Sequence, residues 1–110
     1  MILNVIINDK PRPLEVPEDV IKEGETFFQK MDCDMDKGWQ MSREWVDNPD
    51  KMQRCQIAAD KLYSAINAEN ETMVTLMVGY IMTRMPNITS VDIDTNGEIL
   101  ETVITTNDLP

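Results

Sequence analysis

Between Met31 and Trp39 the chain reads Met-Asp-Cys-Asp-Met-Asp-Lys-Gly-Trp. Carboxylates at alternate positions, Asp32, Asp34 and Asp36, can converge on one centre when a short loop curls. Oxygen donors of that kind suit a hard cation, Ca2+ or Mg2+. Gly38 would let the backbone turn, and Glu44 stands far enough on to close the shell. Lys37 beside the three aspartates cancels part of the field that would draw an ion in. The same residues can also be read without a metal. Aspartates at a helix C-terminus form local Asx turns and a solvated acidic knuckle, with Gly38 as the terminating residue. Three like charges at the negative end of a helix dipole then cost stability unless a cation offsets them.

Other chemistry finds little support. The chain has no histidine, no glycine-rich phosphate loop, and no serine or cysteine beside an activating partner. Asp34, Asp36 and Glu44 could hold magnesium for phosphoryl transfer, but no basic clamp for phosphates accompanies them. A metal-dependent enzyme is therefore the least favoured of three readings. Met31, Met35 and Met41 near Cys33 offer soft ligands for cuprous copper, whereas most of the nine methionines read as gap-filling core. Trp39, Met41 and Trp45 form a short aromatic and methionine patch ringed by acids, suited to a basic or amphipathic partner.

Twenty acidic residues stand against ten basic ones, a net charge of −10. That balance disfavours nucleic acid and anionic membranes, which both require a positive field, and leaves cations and basic proteins as partners. At 110 residues, with 42% hydrophobic content, the chain is expected to form one domain over 1–104 with a loose tail at 105–110. The apolar start, Met1 to Ile7, is too short for a secretory leader, and Met73 to Met85 falls short of a membrane span. A cytoplasmic protein with free thiols at Cys33 and Cys55 is the corresponding expectation.

The elements that must carry these residues follow from periodicity. Leu3, Val5 and Ile7 alternate, and Leu14 and Val16 do so again after Asp9-Lys10-Pro11-Arg12-Pro13, which predicts strand, turn, strand. Pro17-Glu18-Asp19 opens a helix expected to run to about Met31, with Val20, Gly24, Phe27, Phe28 and Met31 inward. Ser42 could cap a short turn through Val46. Asn48-Pro49 then starts a helix with a seam of Met52, Cys55, Ala59, Leu62 and Ile66, and a third helix runs from Glu71 to Pro86. These two should pair antiparallel. Ile88 to Asp94 and Glu98 to Ile104 are expected to form a hairpin over Asn96-Gly97. The fold class is α+β: two hairpins, N- and C-terminal, in one small sheet with about three helices packed on it.

With the elements laid out, the segment from Phe27 to Val46 resembles an EF-hand calcium loop. It has Asp32, Asp34 and Asp36, Gly38, Glu44, the pair Phe27-Phe28 before the loop and Trp45 after it. It departs from the family pattern in two places. Lys37 separates the third acid from the glycine, and the twelfth position falls on Arg43, with Glu44 one place late. Asp92-Ile93-Asp94-Thr95-Asn96-Gly97-Glu98-Ile99 resembles the start of such a loop too, but its closing position is Val103 and its alternation is that of a hairpin. Gly38–Trp45 and Gln53–Asp60 look like segments of small bacterial proteins of unassigned function, a resemblance that brings no activity. The resulting expectation is a small acidic non-catalytic binding module. Its metal ligands would be Asp32, Asp34, Asp36 and Glu44. The alternative is a metal-free adaptor binding through Trp39, Met41 and Trp45.

Overall fold

A computed structural model describes residues 2–41 and 43–107. Strands β1 (Ile2–Ile7) and β2 (Lys10–Glu15) form the N-terminal hairpin, turned through Asn8 and Asp9, both at positive φ. Helices α1 (Glu18–Glu23) and α2 (Glu25–Asp36) follow, then a ribbon of β3 (Trp39–Met41) and β4 (Glu44–Val46). The long helices α3 (Lys51–Asn67) and α4 (Glu71–Arg84) pack on each other. Strands β5 (Ile88–Ile93) and β6 (Val103–Thr106) close the chain. The fold is α+β, as the periodicity indicated.

One four-stranded sheet runs β2-β1-β5-β6, with β1 and β5 parallel at its centre and both hairpins antiparallel. Leu3, Val5, Val91 and Ile93 face inward and meet Phe28, Met35, Ile57, Leu62, Met77 and Ile81 in a single core. Pro11 and Pro13 sit at alternate places on the edge strand β2, where absent amides leave the ladder to β1 intact and blunt the free edge. No helix among the described residues is long and apolar enough to cross a membrane.

Four local expectations are corrected. The first helix breaks at Gly24, where a side chain would strike the Phe28 ring and the Val20 carbonyl, and α2 then continues to Asp36. The segment expected to be a loop after Met31 is therefore the last turn and a half of a helix. The turn foreseen from Arg43 to Val46 is instead strand β4, while its cap, Ser42, lies outside the described residues. Asp50, rather than Asn48, caps α3: its carboxylate accepts from the Gln53 amide at 2.8 Å while the Gln53 side chain accepts from the Asp50 amide at 2.9 Å. Finally, β5 and β6 do pair, but through a long connection containing a 3-10 turn at Ile99–Glu101. Thr105 and Thr106 belong to β6, and residues 108–110 of the expected tail lie outside the described residues.

Candidate functional site

On a helix, residues two apart point about 200° away from each other, and residues four apart share a face. That geometry separates the three aspartates. Asp32 and Asp36 face α3, whereas Asp34 lines a different groove with Phe27, Met31, Lys61 and Met77. Glu44 lies on β4 and is exposed. Among the described residues no three His, Cys, Asp or Glu side chains group so as to hold a metal ion.

Asp32 instead gathers cations of the chain itself. Its Oδ1 accepts from the Tyr80 hydroxyl at 2.6 Å and from Arg54 Nη1 at 3.4 Å, and its Oδ2 accepts from Arg84 Nε at 3.0 Å with Arg84 Nη2 in ion-pair contact at 2.9 Å. Arg54 Nη2 reaches Asp36 Oδ1 at 2.6 Å and Asn48 Oδ1 at 2.9 Å. Its Nε donates to the Pro49 carbonyl at 2.7 Å, and Nη1 also meets the Asp32 carbonyl at 3.3 Å. Arg84 completes its fork on Glu25 at 3.1 Å from both Nη1 and Nη2, with Nη1 also 3.1 Å from Thr83 Oγ1. A guanidinium has five N–H donors; Arg54 donates from all three of its nitrogens and Arg84 from Nε and Nη1, while Arg84 Nη2 lies in ion pairs with Glu25 and Asp32. The planes of charge are further held by aromatic faces, with Arg84 5.2 Å from the Tyr80 centroid and 5.7 Å from that of Phe28.

Electrostatics follow the geometry. Burial by itself would raise the Asp32 pKa, but hydrogen bonds from Tyr80, Arg84 and Arg54 and the charge of Arg84 together carry it below the usual carboxylate value. Burial and the hydrogen bond to Asp32 push the Tyr80 phenol far up, so it remains a donor. Asp32, Lys51, Arg54, Tyr80 and Arg84 also wall a cleft of about 550 Å³ between α2, α3 and α4.

The ribbon adjoins this hub. Arg54 fixes Asn48 and Pro49, and the residues just before them carry Trp45, whose indole N–H donates to Asp47 Oδ1 at 2.7 Å. The ring lies against Gly38, where φ is +104° and any Cβ would collide with it. Trp45 is 58% exposed. Trp39, on the other face of the ribbon, is half-buried beneath Lys61, whose Nζ lies 4.9 Å from the ring centroid. Met41 is fully buried. Its expected place on a surface patch is thus corrected, because alternation along β3 turns it into the core while Gln40 faces out.

Sequence reasoning missed Arg54, Arg84 and Tyr80. The available signal was the requirement for a cation near the acidic end of α2, which the chain meets with its own arginines. The chain matches no family model, no curated protein and no solved structure.

Proposed function

We propose that this chain is a small acidic, non-catalytic interaction module that grips a basic segment of a partner protein through Trp45. The observation that carries the reading is the exposed indole, held between Gly38 and Asp47 on a ribbon anchored by Arg54. A large aromatic ring fixed in place and left in solvent contributes contact area at little entropic cost on binding. Asp47 lies beside the indole, and the net charge of −10 favours encounter with a basic surface. An arginine or lysine stacked on the indole would gain about 0.5–1 kcal/mol at such an exposed site, with the Asp47 carboxylate adding charge complementarity.

Fluorescence anisotropy of a labelled arginine- and lysine-rich peptide tests this. Wild type should bind it saturably, and more weakly as salt rises. Trp45→Ala should weaken binding about two- to fivefold while leaving the melting temperature nearly unchanged. Equal binding by Trp45→Ala, or equal binding of an acidic peptide of the same length, would overturn the proposal.

A further inference from the structure

We propose that Asn96 is a site of spontaneous covalent modification: its side-chain amide is lost to the backbone nitrogen of Gly97, leaving aspartate or isoaspartate in the chain. The sequence has eight asparagines, and Asn96 alone precedes a glycine. The reaction requires the carboxamide to fold onto the next backbone nitrogen. A bulky following residue, a bonded side chain or a regular backbone ladder each opposes that motion, and the other asparagines meet one or more of these. Asn4 lies in the inner strand β1 and Asn67 ends α3. The side chains of Asn8, Asn48 and Asn70 accept from Thr95 Oγ1, Arg54 Nη2 and the Met73 amide. Asn87 and Asn107 precede Ile88 and Asp108, whose side chains crowd the nitrogen.

At Asn96 these obstacles are gone. The residue is exposed in the connection between β5 and β6, outside both strands, and its side chain makes no hydrogen bond among the described residues. Gly97 is exposed as well, at φ +86°, and nothing lies within 4 Å of the place a Cβ would take, so the closing ring meets no neighbour there. In the first step the Gly97 nitrogen gives up its proton and bonds to Asn96 Cγ, the Cγ–Nδ2 bond breaks, and ammonia leaves with that proton. Water then opens the five-membered imide at either carbonyl. One opening gives aspartate; the other gives isoaspartate, with one more carbon in the main chain. The step consumes water alone. Either product adds a carboxylate next to Thr95, on the wall of a depression already lined by Asp9, Asp92, Asp94 and Glu101. Isoaspartate also spreads the Asn96 and Glu98 amides, which share Asp94 Oδ2 at 3.1 and 2.9 Å.

Incubation of the folded protein at pH 8, followed by anion exchange and peptide mass mapping, tests the site. A species with one more negative charge should accumulate over weeks. Its mass change, OH in place of NH2, should map to the peptide holding Asn96, as two products of equal mass that separate by chromatography. Asn96→Gln, whose longer side chain disfavours ring closure, should abolish the species. Gly97→Ala should slow its formation about tenfold, because a Cβ there crowds the attacking nitrogen. No conversion at Asn96, earlier conversion at another asparagine, or Gly97→Ala converting as fast as wild type would overturn the proposal.

Discussion

The Tyr80 hydroxyl donates to Asp32 Oδ1 at 2.6 Å, joining the middle of α4 to the last turns of α2 across 48 residues of chain. Arg54 from α3 and Arg84 from the end of α4 reach the same carboxylate. A helix that ends in Asp32, Asp34 and Asp36 without a basic residue in its last turn opposes its own dipole. The neighbouring helices supply the missing cations, and three helices are thereby fixed around one side chain.

Removing that side chain should be costly. Asp32→Ala leaves two guanidinium groups and a phenol short of an acceptor, at about 2–4 kcal/mol for a partly buried network. Tyr80→Phe removes one hydrogen bond and should cost about 1 kcal/mol. Urea denaturation of the three proteins measures both losses. A near-neutral Asp32→Ala would mean that the arginines find other acceptors without loss.

The acid response has a definite sign. Because the folded state holds the Asp32 pKa below its ordinary value of 3.8, its contribution is present above that value and is lost as pH falls through the lower folded pKa. Urea midpoints between pH 7 and pH 2 should therefore drop below about pH 4, and Asp32→Asn should flatten that part of the curve. An identical acid slope in the variant would assign acid lability to other carboxylates.

Calcium should leave the protein unmoved. Asp32 and Asp36 already accept from arginines, and Asp34 points elsewhere. Tryptophan fluorescence and the melting temperature are expected to stay constant up to about 1 mM calcium, with Asp34→Ala indistinguishable from wild type. A saturable rise in melting temperature, lost in Asp34→Ala, would instead require α2 to unwind beyond Met31 into an ion loop.

Strand alternation, the long paired helices and the α+β class were legible because burial imposes a period of 2 or 3.6 on the sequence. Leu3 and Val5, or Leu62 and Ile81, follow it without exception. The end of α2 was not legible. Apart from Met35, Asp32-Cys33-Asp34-Met35-Asp36 is made of weak helix formers, and burial of Met35 in the core together with the pairing of Asp32 and Asp36 to α3 and α4 extends the helix through it. The sheet order was hidden for a similar reason: nothing local in Val5 or Val91 says that they sit side by side in parallel. The charged pairs of the hub lie 18 to 59 positions apart, and charge spacing along the chain carries no trace of such pairs.

The two thiols should separate cleanly. Burial, with a further contribution from the Asp32 charge, pushes Cys55 up to about 12, whereas Cys33 is exposed on α2. At pH 8 in native buffer, iodoacetamide should modify one cysteine, and mass mapping should place it at Cys33. Both should react in denaturant. Since the folded Cys55 pKa exceeds its ordinary value of 9.0, the protonated thiol's contribution to stability is complete below pH 9 and fades as pH rises toward 12.

Gly38 and Gly97 allow the ribbon and the fold to be tested apart. Both have positive φ, +104° and +86°, so alanine strains the backbone at either place by about 1–2 kcal/mol. At Gly97 a Cβ would enter open space, and the strain is the whole effect. At Gly38 the Cβ would also strike Trp45, so Gly38→Ala should cost about 1 kcal/mol more and displace the indole from its place against the backbone. The tryptophan emission should shift in Gly38→Ala and not in Gly97→Ala. If Trp45 binds a basic partner as proposed, peptide affinity should fall in the first variant and persist in the second. Equal affinity in the two, with the emission shift present, would show that the position of the indole does not govern binding.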